Sequence, residues 1–276
     1  MTERVERDVD IVTGILSSVP LLETGQDLYF VNNLKSGDGS FDNAFASLKE
    51  AQNASDENDI IFVYAGDGSS TGYNQGIVLQ NGQSLLGEYN GLGLFGIQFI
   101  APGARPLLTN TASDSIITMA NDSRVSGFHL SGMSVATGGI YGQNVSGNIT
   151  VNDMIIEGIG VSDVPNWDIE GRGIFFNNTG QTTLFNISNN EIYDSRHSGI
   201  GLTTQDGAST VLIEDNNIHD TATAILINSE NDDATINILN NRLSNNRSQG
   251  IGLYACCGEA ATTALIQDNI IVIISH

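Results

Sequence analysis

The sequence predicts an all-β fold, a right-handed parallel β-helix solenoid with a short capping helix at its amino end, and three observations carry that prediction. Four segments align without gaps, Thr183–Ile192, Ser209–Ile218, Ala234–Leu243 and Thr262–Ile271, sharing an Asn at 190, 216, 241 and 269, spaced by 26, 25 and 28. Apolar residues alternate ahead of that Asn in two columns, Phe185, Val211, Ile236, Ala264 and then Ile187, Ile213, Ile238, Ile266. The 276 residues include 31 Gly but only 4 Pro and are 40% hydrophobic, a composition that turns often and still fills a core.

Alternation of period two in short runs marks half-buried strands. Three strands of about five residues plus turns need a coil of roughly the observed period. Two residues after the shared Asn comes Ile192, Ile218, Leu243 or Ile271, and a further strand follows as Gly199–Leu202, Ala224–Ile227 and Gly250–Leu253, with Gly173–Phe176 upstream. Stacked coils bury their inner face only against their neighbours. The Asn column then becomes a ladder of side-chain amides paired from coil to coil. The right-handed hand follows from the preference of parallel crossovers.

Earlier coils are less regular. Asn148–Ile155 fits the first strand with Asp153 at the Asn position, and Arg124–Leu130 and Gly82–Gly87 fit coils before it. The open apolar end of a solenoid needs a cover. Phe41, Phe45, Leu48 and Ala51 fall at helical spacing and predict a capping helix over Phe41–Ser55, flanked by strands Asp27–Asn32 and Asp59–Tyr64. The expected organisation is a linker over 1–26 and one β-helix domain over 27–276, with its cap over 27–64, coils over 65–276 and a carboxy-terminal cap missing. A truncated solenoid presents strand edges and an apolar end, so end-to-end self-association is expected. The adjacent pair Cys256 and Cys257 reads as two free thiols, since a bridge between neighbours is uncommon.

Asp27–Asn33, Gly37–Leu48 and Asp59–Gly68 together resemble the opening cap of pectate-lyase-like β-helices. More narrowly, they are similar to the start of the β-helix passenger regions of inverse autotransporters, the intimin/invasin-type outer-membrane proteins. Arg4–Val12 resembles the charged linker that leads into such a cap, and the likeness is distinct over residues 3–87. The resemblance implies an exported fragment displayed at a bacterial cell surface, with an adhesin-like role. The start of the chain lacks the basic and apolar regions of a signal peptide.

Ten Lys and Arg against 32 Asp and Glu leave a charge of −22, which argues against nucleic acid and anionic membranes as partners. No apolar run reaches the length of a transmembrane helix. A hydrolase of this architecture needs two carboxylates flanking the scissile bond, and a lyase needs a base beside a neutralised uronate carboxylate. Neither motif is legible.

The best local candidate is an insertion. From Asp153 to Ile174 there are 21 residues where Asn190 to Ile200 needs 10. The extra loop, Gly160–Arg172, holds the sole Trp, Trp167, with Asp168, Glu170 and Arg172. The register puts Arg196, His197 and Arg247 at equivalent corners of later coils, so Trp167, Asp168, Glu170, Arg172, Arg196, His197 and Arg247 are expected to gather along one edge as a ligand-binding set. An aromatic face beside charged hydrogen-bonding groups suits a sugar ring, and long loops carry function more often than the strands beneath. The bland alternative is that Trp167 pins the loop and the arginines make ordinary ion pairs. If the chain is an enzyme, the catalytic suspects are Asp168, Glu170, Arg196 and His197.

His129 and His219 show no obvious partner, and no metal site is expected. No cofactor motif is present, although Asp163, Asp168 and Glu170 could offer oxygen ligands to Ca²⁺ without any recognised loop spacing. Gly66–Gly72 lacks the Lys of a phosphate loop and reads as a turn. Thr210, Thr235 and Thr263 share one column, which could be a flat ligand face or simply a β-branched strand position. The expectation is a non-enzymatic surface module contacting a carbohydrate or a host-surface protein. A secreted polysaccharide lyase or glycoside hydrolase and a purely structural spacer are the alternatives.

Overall fold

The computed structural model describes residues 26–94, 97–112, 114–132, 136, 138–160, 171–257 and 260–272. The expected linker therefore lies outside the described residues, apart from Gln26.

Each coil contributes one strand to each of three parallel sheets, of nine, seven and seven strands. A representative coil runs β15 (Thr182–Ser188), β16 (Glu191–Tyr193) and β17 (Ser198–Gln205). The next is β18 (Ala208–Glu214), β19 (Asn217–His219) and β20 (Thr223–Glu230). The one after is β21 (Asp233–Leu239), β22 (Arg242–Ser244) and β23 (Gln249–Cys256). We call the three sheets first, second and third in that order. Pairing is in register, as in Phe185↔Val211, Ile192↔Ile218 and Ile200↔Ile225. The predicted apolar columns are thus inner stacks, and Phe185, Ile187, Val211, Ile213 and Ile238 are buried. Removing such a side chain from water contributes about 1.5–3 kcal/mol, which each coil gains only because its neighbours supply the wall.

The turn from first to second sheet explains the Asn column. Asp153, Asn189, Asp215, Asn240 and Asp268 have φ of 57°, 55°, 54°, 56° and 56°, a left-handed conformation that Asn and Asp tolerate best among residues with a side chain. The following residue is the ladder. Asn190 Nδ2 donates to Asn216 Oδ1 (2.9 Å), Asn216 Nδ2 to Asn241 Oδ1 (3.0 Å) and Asn241 Nδ2 to Asn269 Oδ1 (2.9 Å). The expected register is corrected upstream by one residue. Asn152 pairs with Ser188, so Asp153 occupies the left-handed corner and Met154 the ladder position, where its backbone N donates to Asn190 Oδ1 (3.0 Å). The two acidic-or-amide columns are adjacent, and only backbone pairing separates them.

At the amino end the capping helix is shorter than expected. Helix α1 spans Leu48–Ala54 and begins with a capping box between Ser47 and Glu50. Phe41 and Phe45 lie outside it. The chain before Ser47 runs instead beside β1 (Leu28–Val31), with Phe30 N donating to Gly39 O and Phe45 N to Phe30 O. Those backbone groups are satisfied by the strand and have no need of a helix. Leu48 and Ala51 bury into the main core. The expected flanking strand on the other side is observed as β2 (Ile60–Val63). A second, external core covers the outer face of the first sheet at this end, where Leu28, Phe30, Ile60 and Phe62 meet Leu92 of the hairpin strand β5 (Leu92–Leu94).

The cysteines are also corrected. Cys256 and Cys257 are joined to each other in a disulfide. Cys257 stands at a coil corner with φ 69°, where the left-handed turn brings neighbouring side chains together.

Candidate functional site

The corner from second to third sheet collects the cations that the spacing pointed to. Arg172 opens strand β14 (Arg172–Thr179), Arg196 and His197 precede β17, and Arg247 precedes β23. His197 N donates to Gly171 O (2.7 Å), and Arg196 N to Ile159 O (3.0 Å). Arg247 Nη2 reaches back to Arg196 O (3.0 Å). The structure therefore brings Arg172, Arg196, His197 and Arg247 to one edge. Trp167, Asp168 and Glu170, with the Ca²⁺ suspect Asp163, lie outside the described residues.

Local packing fixes this edge. Gly171 has φ +81°, and a Cβ there would stand 2.6 Å from Arg196 Cβ, so a glycine lets the chain enter β14 against the next coil. The Arg172 guanidinium lies 3.8 Å over the Phe175 ring, which stacks at 6.0 Å on Tyr141. A Cβ on Gly201 would come within 3.5 Å of Ser198 Oγ, Phe175 and Arg172 alike, so that glycine makes room for the cation–π pair. His197 is held neutral near pH 7, because burial lowers its pKa and the Arg172 charge lowers it further. Its Nδ1 is buried without a hydrogen-bond partner, as are the hydroxyls of Ser195 and Ser198.

The outer face of the second sheet carries a network that the sequence reading passed over, and there the expectation that His129 and His219 lack partners is overturned. His129 Nε2 lies 2.9 Å from Glu157 Oε1. Tyr193 OH donates to Glu157 Oε2 at 2.5 Å. The Tyr193 ring stacks on His219, 5.1 Å between centroids and 3° from parallel. His219 Nδ1 lies 2.7 Å from Asp220 Oδ2, and its Nε2 lies 3.8 Å from Glu191 Oε1. The signal was present: Glu157, Tyr193 and His219 each stand three residues after the ladder position, at Met154, Asn190 and Asn216. Placing Asp153 in the ladder column hid Glu157 from that alignment.

Electrostatics make this strip an acceptor surface. Burial pushes the Glu157 carboxyl up, but hydrogen bonds from Tyr193 and His129 and the His129 charge outweigh it, and the net pKa is lowered. Asp220 is lowered chiefly by its hydrogen bond with His219. The Tyr193 phenol is pushed up by burial and by Glu157, so it stays a donor. Among the described residues, no group of three or more His, Cys, Asp or Glu is arranged to hold a metal ion.

Several solved structures resemble the chain. A GH136 lacto-N-biosidase from Eubacterium ramulus aligns over 90% of this chain and 68% of its own, at 11% identity and a TM-score of 0.45. A rhamnogalacturonan lyase aligns over 89% of this chain and 67% of its own, at 12% identity and a TM-score of 0.34. No curated protein matches the sequence. Residues 70–272 match the family described as right handed beta helix region, which takes in the ladder, both clusters and all of the three sheets but β1 and β2, and the chain belongs to that family.

Proposed function

We propose that the chain is a non-enzymatic module of a bacterial cell surface whose second-sheet strip and adjoining basic corner contact glycans. The observation that carries this reading is the state of Glu157. A glycoside hydrolase must keep one carboxyl protonated as its acid, whereas Glu157, gripped by His129 and Tyr193, is an ionised acceptor. Asp220 is held down by His219 in the same way. Such groups, with a stacked Tyr–His pair between them, hydrogen-bond sugar hydroxyls without supplying a proton. Among the described residues the carboxylate that burial pushes up, Asp59, lies in the amino-terminal cap, where it accepts from the backbone N–H groups of Asp27 and Asp56. The cap and linker resemblance supports display through an inverse-autotransporter route and an adhesin role.

A lyase is the second reading, and one observation favours it. A neutral His197 beside Arg172 is the pairing needed to take a proton next to a uronate carboxylate. A glycan-array screen with product analysis, run with and without Ca²⁺, separates these readings from a structural spacer. Binding without turnover, weakened at least tenfold by Glu157→Gln or Trp167→Ala, is the expected result. Unsaturated products lost in His197→Ala would move the chain to the lyases. An array blank for every glycan leaves a protein partner or a spacer.

A further inference from the structure

The outer face of the first sheet is a separate surface with its own chemistry. It is built from β12 (Gly147–Asn152), β15, β18, β21 and β24 (Thr263–Gln267). Two outward columns run along it in register. One is Asn148, Leu184, Thr210, Thr235, Thr263, and the other is Thr150, Asn186, Leu212, Asn237, Leu265. None of these ten side chains is charged, on a chain of net charge −22. The second sheet offers the contrast, since its outer face presents Glu157, Glu191 and Arg242 with two histidines over a similar span. Acids flank the uncharged columns on both sides, as Asp206 and Asp233 before them and Glu214, Asp215 and Asp268 after. Leu184 and Leu265 stay 44% and 49% exposed between amides and threonine hydroxyls. At the amino end of the same face the external core beneath the hairpin covers the first strands, and the exposed Arg124, which pairs with Thr150, puts one cation beside the uncharged rungs.

We propose that this face binds an uncharged, extended polysaccharide lying along the stacked coils. The proposal rests on the glycan-contact reading and adds a ligand class and a second surface to it. Acidic rims repel anionic polymers and a second copy of this chain alike. The uncharged centre lets an uncharged chain dock without stripping water from ions. Thr and Asn repeat at the coil spacing of about 4.8 Å, which offers donors and acceptors at regular intervals to a polymer with its own regular repeat. Leucine and threonine methyl groups meet the C–H faces of sugar rings, as amphipathic binding surfaces do.

The test is co-sedimentation of the full chain with microcrystalline cellulose and insoluble chitin, set against retention on polygalacturonate gels. The variant Leu184→Glu/Asn237→Glu places two charges on one exposed and one half-buried position two coils apart, so they do not face each other, and a thermal melt checks its fold. Thr210→Ser, which keeps the hydroxyl and loses one methyl, is the mild second probe. The expected result is binding to at least one uncharged polymer that falls at least tenfold in the double glutamate variant and less than threefold in Thr210→Ser. Uncharged-polymer binding lost in Tyr193→Ala but kept in the glutamate variant overturns the proposal and leaves the glycan reading standing. Retention on polygalacturonate alone does the same. Binding to no glycan in either format overturns both.

Discussion

Single residues decide most at the ladder. Asn216 accepts from the backbone N and Nδ2 of Asn190 through one Oδ1, and its own Nδ2 serves Ile187 O, Glu214 O and Asn241 Oδ1. Asn216→Ala strands several buried donors and acceptors at once, each expensive when unmade, and should cost about 3 kcal/mol in urea unfolding. A loss under about 0.5 kcal/mol would mean the ladder is decoration. The His219–Asp220 pair makes a second prediction at this scale. Asp220 has a folded pKa below its unfolded value of about 3.9. Its stabilisation is therefore complete above that value and vanishes as pH falls through the lower, folded one. Asp220→Asn should lower Tm at pH 7, and the difference should close at a pH low enough to protonate Asp220 in the folded state. An equal drop at both pH values would trace the effect to packing and not to charge. Groups facing this pair are Glu191 and Asn245, so the same comparison in Glu191→Gln reports how far the strip acts together.

At the scale of elements, alternation and the repeat column made the strands legible, because a period of two and a period of a coil are both written in side-chain type. What was not legible was anything set by backbone pairing. The ladder register near Asp153 depended on which of two neighbouring Asx-type columns was left-handed, and composition does not separate them. The helix was overextended for a related reason. Phe41 and Phe45 keep helical spacing but are used by β1, and Phe41 meets Phe30 edge-on at 5.3 Å. The stop was present in the sequence as Ser47 followed by Glu50, a start signal placed in the middle of the expected helix. Ser47→Ala should cost about 1 kcal/mol by loss of the cap. Ser47→Asp should recover most of it, measured by amide exchange over Leu48–Ala54. If both variants exchange like the parent, α1 is held by Leu48 and Ala51 packing alone. At the basic corner coil length and register were enough to place Arg172, Arg196, His197 and Arg247 along one edge. It missed the His129–Glu157–Tyr193–His219 strip because that strip follows the ladder register, which was one residue out.

For the whole molecule, the two ends of the solenoid are unlike. Among the described residues the amino end is closed by α1 and by the chain that pairs with β1, while the last described coil, β24 and β25 (Ile270–Val272), leaves Leu265, Ile266, Ile270 and Ile271 about half exposed. The outer edges of β23, β24 and β25 have no partner strand among the described residues. Such an edge templates pairing with another chain. Among the described residues only the end at β24 and β25 is open, so two copies are expected to meet there about a twofold axis and to close as a dimer instead of growing into a fibre. The charge of −22 on each copy opposes the approach, and salt screens it within about 8 Å at physiological ionic strength. Dimer fraction should therefore rise with protein concentration and with NaCl, and Ile271→Asp should return the chain to monomer without lowering its Tm. Sedimentation equilibrium decides the matter. A monomer at every concentration and salt level would show that the open end is not sticky, and species beyond the dimer would show that the closed amino end is.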